Sequence, residues 1–129
     1  MRKKFYITTA IDYPSAPPHI GHVYEKVCAD IIARWHRRIG DDVFFSTGTD
    51  EHGQKIQKCA LSSGKKPEEF VERMSKRFID LWAKLNISYD SFIRTTQKRH
   101  EEIAQNIFKK IYEKGDIYKG LYEGLYCVD

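Results

Sequence analysis

Two of the five histidines in this 129-residue chain, His19 and His22, close the run Pro17-Pro18-His19-Ile20-Gly21-His22. Three apart at the start of a helix, they share one face. A helix N-terminus offers unpaired N–H groups and partial positive charge, which suits a phosphate. Two imidazoles there can donate hydrogen bonds to a phosphoryl group as charge develops on it. Gly21 removes a side chain where a flat ring or a ribose would approach the backbone. The plainer alternative is an exposed pair that only caps the helix. A zinc site made of His19, His22 and His52 fits by residue type. It lacks the His-x-x-x-His spacing of helical zinc pairs and the general-base Glu between them.

A second polar group is Thr47-Gly48-Thr49-Asp50-Glu51-His52-Gly53. Asp50 suits an ammonium group, and Glu51 a hydroxyl or a cation. Asp, Thr and Gly are also turn residues and can simply shape a loop. Taken together, the two segments suit a ligand that carries both a phosphate and an amine. Spacing alone does not name that ligand.

These residues need elements to hold them. Residues 4–10, Lys-Phe-Tyr-Ile-Thr-Thr-Ala, are β-branched and aromatic and read as a strand. Pro14, Pro17 and Pro18 make 11–18 a loop. Ile20, Val23, Val27, Ile31, Trp35 and Ile39 then recur at helical spacing and are expected to form one apolar face, with Gly40 as the stop. A second strand is expected over 42–47, a polar loop over 48–53 and a short helix to Gly64. Pro67 opens another helix with the stripe Phe70, Met74, Phe78, Leu81 and Leu85. A short strand surrounds Phe92 and Ile93. A last helix carries Ile103, Ile107 and Ile111 and stops at Gly115. The tail, 117–128, alternates Tyr and Leu around Gly120 and Gly124 and reads as a β-hairpin or small β subdomain.

Strand, loop, helix, strand is a βαβ unit, which implies a parallel sheet with a right-handed crossover. Ligands bind such sheets at the carboxyl ends of the strands. Both polar segments fall there.

Composition sets the outer bounds. The length suits one domain. Hydrophobic residues make up 41% and charged residues 31%, the balance of a globular rather than a disordered chain. Lys and Arg exceed Asp and Glu by 22 to 18, a net charge of +4, and the signs are interleaved with no basic block. Nucleic-acid contact is permitted, not required. Cys28, Cys59 and Cys127 are odd in number and far apart, so no disulfide framework is expected. No apolar run approaches the ~20 residues of a membrane helix, and no secretory signal is evident. A cytoplasmic, membrane-free protein is the expectation.

His19-Ile20-Gly21-His22, preceded by Pro14 and Pro18, resembles the signature of class I aminoacyl-tRNA synthetases. The run Tyr6-Ile7-Thr8-Thr9-Ala10-Ile11-Asp12-Tyr13-Pro14 resembles the methionyl-tRNA synthetase family in particular. So does Phe44-Phe45-Ser46-Thr47-Gly48-Thr49-Asp50-Glu51-His52-Gly53-Gln54-Lys55-Ile56. The blocks at 85–96, 112–120 and 122–127 agree, so the resemblance covers essentially the whole chain.

That resemblance implies an α/β, Rossmann-like parallel sheet, the N-terminal half of a class I synthetase catalytic domain, over residues 1–116. Residues 117–129 would begin a small β connective insertion. It implies a methionine–tRNA ligase that forms methionyl-adenylate from methionine and ATP with Mg2+, then passes the methionyl group to tRNA(Met). His19 and His22 would be catalytic and, with Gly21 and Glu25, bind ATP. Ala10, Ile11, Tyr13 and Asp50 would bind methionine, the Ile11 carbonyl and the Asp50 carboxylate holding the amino group. Asp12 stands where the family often has Pro or Tyr, and Ser15-Ala16 where it often has Asn-Gly.

The second half-sheet, the Lys-Met-Ser-Lys-Ser loop and the anticodon-binding domain have no counterpart in the chain. It therefore resembles an N-terminal piece or one partner of a split enzyme, inactive alone, with a second polypeptide as the other partner. Arg73-Met74-Ser75-Lys76-Arg77 is a chance lookalike of that loop, since Met74 belongs to the apolar stripe. Cys127 matches the first cysteine of the family's zinc knuckle. A Zn2+ ion is expected only where the rest of the insertion is present. Two other readings are a non-catalytic ATP- or methionine-binding module and a stand-alone nucleotidyltransferase.

Overall fold

A computed structural model describes residues 2–125, which fall into two compact units that divide between Gln97 and Lys98. The first unit has a sheet of three parallel strands in the order β1-β2-β3: β1 (Lys4–Thr8), β2 (Asp42–Thr49) and β3 (Ser91–Arg94). β1 runs beside β2 from Lys4↔Asp42 to Thr8↔Ser46, and β2 beside β3 from Ser46↔Ser91 to Thr49↔Arg94. Helix α1 (Ile20–Arg38) makes the first crossover; α2 (Gln54–Ser62) and α3 (Pro67–Lys84) make the second. This is the expected α/β architecture.

β2 runs two residues past the expected end of its strand. Gly48 stays in the ladder because a Cβ there would lie 2.0 Å from the Ile93 carbonyl oxygen, so only glycine lets β2 and β3 approach so closely. Asp50 is thereby the first residue beyond the strand.

One core cluster joins Ala29 and Ala33 of α1, Phe45 of β2, Phe78 and Trp82 of α3, and Ile87. A second joins Ile56 and Ala60 of α2 to Phe70, Val71 and Met74 of α3, with Tyr13 packed against it. Pro67 stands in the first turn of α3, and Phe70, Met74 and Phe78 of the expected stripe are buried with Leu81 partly packed. Leu85, however, caps the helix and is exposed, and Trp82, outside the expected stripe, is fully buried instead. Met74 is buried in that helix, as the chance-lookalike reading requires.

The face of α1 needs correction. Its buried residues are Lys26, Ala29, Asp30 and Ala33, with Val23 and Val27 partly packed. Ile20, Ile31, Trp35 and Ile39, expected in the core, are each more than half exposed. The alanines let the helix lie close to the sheet, and the two charged residues find partners there. Asp30 accepts from the Ser88 N–H at 2.7 Å and from Arg34 Nε at 2.6 Å.

In the second unit α4 (Lys98–Glu113) is amphipathic, with none of its residues buried. The expected hairpin does not form in 117–125, which holds no strand. Gly120 and Gly124 weaken strand pairing there, and a lone two-stranded hairpin is marginal in water. The end of that segment, Cys127 included, lies outside the described residues.

Candidate active site

The carboxyl ends of β1 and β2 bring the two polar segments together through their backbones. Thr9 N–H donates to the Ser46 carbonyl at 3.3 Å, Asp12 N–H to the Gly48 carbonyl at 2.9 Å, and Asp50 N–H to the Asp12 carbonyl at 2.8 Å. Asp12 and Thr49 thus extend the β1–β2 pairing by one isolated parallel bridge. The Thr9 and Thr47 hydroxyls lie 2.8 Å apart. The Tyr13 hydroxyl donates to the His52 carbonyl at 2.7 Å. Ala10, Ile11, Tyr13 and Asp50 therefore share one end of the sheet, as the βαβ reading requires.

The histidine pair sits at the first turn of α1, with His19 as N-cap. Gly21 N–H donates to His19 Nδ1, and His19 N–H donates to His22 Nδ1, each at 3.1 Å. The side chains thus form a capping box built from imidazoles. Helix capping and ligand binding are compatible here. Each neutral ring that accepts at Nδ1 carries its proton on Nε2, leaving an Nε2–H donor. Burial holds the His22 pKa below the usual histidine range, against the pull of Asp12, which favours this neutral form. The rings lie 3.8 Å apart, and His22 meets Phe78 edge-on at 5.3 Å. Gly21 has a further role beyond the expected one. A Cβ there would lie 2.9 Å from His19 Cε1, so glycine lets the cap ring fold over the helix start.

Glu25, one turn on, has both oxygens engaged. Oε1 accepts the Ala10 N–H at 3.0 Å and Oε2 accepts Lys26 Nζ at 2.8 Å. Burial raises its pKa, but these hydrogen bonds outweigh that and hold it below the usual carboxylate range.

Sequence reasoning missed Lys26 and gave Asp12 only as a departure. Lys26 is fully buried, and its Nζ also donates to the Ala10 carbonyl at 3.0 Å and to Asp12 Oδ1 at 2.8 Å. Burial raises the Asp12 pKa despite that ion pair. Asp12 Oδ2 is buried with no hydrogen-bond partner. The available signal was a lysine among apolar helix positions together with an acid in the preceding loop.

Glu51 was expected to offer itself to a hydroxyl or cation. It is buried instead, accepting from Thr49, Ser75 and Thr96 hydroxyls and from Arg94 Nε at 2.7 Å. Its N–H donates to Thr95 Oγ1 at 2.8 Å, and that hydroxyl lies 3.4 Å from Asp50 Oδ1. Glu51 is thus the anchor of the Asp50 loop. Ser75, Arg94, Thr95 and Thr96 gave no local signal, since they join it only through tertiary structure. His52 Nε2 lies 3.3 Å from the Thr95 carbonyl. Among the described residues no group of three or more His, Cys, Asp or Glu is placed to hold a metal ion. No helix among them is long and apolar enough to cross a membrane.

Comparison with known proteins gives a consistent picture. A family profile described as "tRNA synthetases class I (M)" matches residues 5–129. The methionine–tRNA ligase of Caldanaerobacter subterraneus is 59% identical over 127 residues, covering 98% of this chain and 20% of that relative. That of Thermotoga maritima is 52% identical over 125 residues, covering 97% and 20%. The chain spans about a fifth of the length of the curated relatives it matches. Among solved structures, Mycobacterium tuberculosis methionyl-tRNA synthetase in complex with methionyl-adenylate superposes with a TM-score of 0.88 at 45% identity. That match covers 90% of this chain and 23% of the other.

Proposed function

Because this chain belongs to the class I (M) tRNA synthetase family, we propose that it supplies the loops that hold methionine and ATP during methionyl-adenylate formation. The observation that carries this reading is the meeting of the Ala10–Tyr13 segment, Asp50 and the His19–His22 helix start at one end of a parallel sheet. In the reaction a methionine carboxylate oxygen attacks the α-phosphorus of ATP, and pyrophosphate leaves. The methionyl group then passes to the terminal adenosine of tRNA(Met).

Each residue has a part in this reading. His19 and His22 donate Nε2–H to the α-phosphoryl oxygens as negative charge grows on them. The first turn of α1 takes the phosphates, and Gly21 leaves the room in which the His19 ring sits over that turn. The Ile11 carbonyl and the Asp50 carboxylate hold the amino group, with Ala10 and Tyr13 beside them. Glu25, both oxygens already engaged, serves ATP indirectly. Catalysis is positioning and charge stabilisation. Mg2+ accompanies ATP as part of the substrate. Zn2+ enters only with a connective insertion that adds ligands to Cys127. The work belongs in the cytoplasm, with tRNA and with a second half-site carried by further chain or by another polypeptide.

The test is methionine-dependent exchange of pyrophosphate into ATP. This chain would be measured alone and grafted in place of the matching segment of the Caldanaerobacter ligase. The expected result is exchange by the graft and none by the chain alone. A folded graft without exchange would refute the proposal. A graft that binds both ligands without exchange would favour a binding module.

A further inference from the structure

We propose that Lys26 is a positioning residue for the amino-acid side of the site, its ammonium and the neighbouring Glu25 carboxylate clamping the Ala10 peptide and so orienting the Ile11 carbonyl. The inference rests on the reading of residues 10–13 as the methionine pocket.

Three observations carry it. The first is completeness. An ammonium has three N–H donors, and those of Lys26 reach the Ala10 carbonyl at 3.0 Å, Asp12 Oδ1 at 2.8 Å and Glu25 Oε2 at 2.8 Å. The second is where those acceptors lie. All belong to the loop after β1 or to the turn of α1 that follows His22, and none to α2 or α3. A residue needed only to fill space beneath Trp82, whose ring centroid is 5.9 Å from Nζ, could be methionine or leucine without the desolvation cost of a buried charge. The third is the pinning of both neighbours of Ile11. Ala10 is held at its carbonyl by Lys26 and at its N–H by Glu25. Asp12 is held at its side chain by Lys26, at its N–H by Gly48 and at its carbonyl by Asp50. Ile11 lies between two fixed peptides, so the direction of its own carbonyl has little freedom. Asp50, the other proposed ammonium ligand, is tied to the same Asp12 carbonyl. Lys26 therefore sets the mutual placement of both groups.

The test is the pair Lys26→Met with Asp12→Asn, which removes ammonium and carboxylate together and leaves neither buried charge unpaired. Two measurements are made. In the 129-residue chain, hydrogen exchange at the Ala10 amide is expected to quicken about tenfold or more, while the amides of β2 and of the middle of α1 keep their protection. In the graft, the KM for methionine in pyrophosphate exchange is expected to rise about tenfold while the KM for ATP stays within about twofold. Unchanged Ala10 exchange would overturn the clamp. Faster Ala10 exchange with an unchanged methionine KM, or equal rises in both KM values, would overturn the positioning role and leave Lys26 a structural residue.

Should the double variant not fold, Lys26→Arg carries the same comparison. The longer, planar group keeps the charge but must displace the loop, so a wild-type methionine KM in that variant overturns the proposal. An unmodified graft that folds without methionine-dependent exchange refutes the proposed function and, with it, the substrate half of this inference. The Ala10 exchange comparison still decides the clamp.

Discussion

His22 does two jobs with its two nitrogens, and they can be separated. Nδ1 accepts the His19 N–H, and Nε2–H is left for a ligand. Asparagine places an acceptor near the Nδ1 position and has no group that reaches Nε2. His22→Asn in the graft should therefore keep the cap and the fold. Adenylate formation in a single turnover should slow by about 10²–10³, the usual cost of one lost transition-state donor, with little change in methionine affinity. An unchanged rate would leave His22 as a helix cap alone. The Nδ1 acceptor role also fixes the sign of the pH response. Burial lowers the folded pKa below the ordinary 6.5, so the cap is intact at neutral pH and is lost as pH falls through the folded value. Asp50 gives the complementary test. A charge-assisted hydrogen bond to an ammonium contributes roughly 1.5–3 kcal/mol. Asp50→Asn should then raise the methionine dissociation constant about 10- to 100-fold at ~1.4 kcal/mol per decade. ATP affinity and melting temperature should move little. Asparagine suits a turn as well as aspartate does, so near-normal methionine binding by calorimetric titration would remove Asp50 from the site.

At the level of elements, the Glu51 network holds the ends of β2 and β3 together and attaches them to α3 through Ser75 and to the Thr95–Thr96 turn. Burial raises the Glu51 pKa, but hydrogen bonds from Arg94 and three hydroxyls outweigh it and leave the group below its usual 4.5. The unfolded chain then takes up this proton first as the solution is acidified. The stabilisation is whole above about pH 4.5 and is lost as pH falls through the folded value. Asp12 acts in the opposite sense. Its raised pKa makes its ionised form a cost to the fold at neutral pH, relieved as pH falls through the folded value. Breaking a buried pair at one partner costs about 3–5 kcal/mol, so Glu51→Gln should lose stability of that order at pH 7. It should lose less at pH 3.5, where part of the wild-type contribution has already gone. Urea unfolding at the two pH values measures the difference, and an equal loss at both would contradict the network's role.

The same elements show what a sequence reader can reach. The α3 stripe was legible because Phe70, Met74 and Phe78 are large, apolar and correctly spaced behind Pro67. The meeting of the two loops was legible because βαβ topology permits little else. The inward face of α1 was not. Its core contacts come from Ala29 and Ala33, which carry little hydrophobic signal, and from Lys26 and Asp30, which read as surface until their partners are known. Glu51 was misread for the same reason, its donors other than Thr49 lying 24 to 45 residues away in sequence.

At the level of the first unit as a whole, both crossover helices that reach the sheet contribute to one core cluster, and the alternate side chains of the strands face away from it. Tyr6 of β1 and Phe44 of β2 stack on that outer face with centroids 6.0 Å apart, and are 64% and 49% exposed. β1 pairs only with β2 among the described residues, so its other edge keeps unpaired peptide groups. Trp35 and Ile31 add apolar surface on the outer side of α1. Flat apolar faces beside an open strand edge favour association between copies. The 129-residue chain alone should therefore self-associate as its concentration is raised, in sedimentation velocity. Tyr6→Thr with Phe44→Thr should weaken that association, since threonine keeps strand propensity while removing the stacked pair. The same two substitutions in the graft should do the reverse of help. If the rest of a full-length ligase covers this face, they remove buried aromatic rings, and losses on the order of 3–5 kcal/mol are usual for a buried aromatic cut to a small residue. Lower self-association in the chain with lower stability in the graft identifies the face as one the family buries. A chain that stays monomeric and unfolds cooperatively at high concentration would count against that assignment.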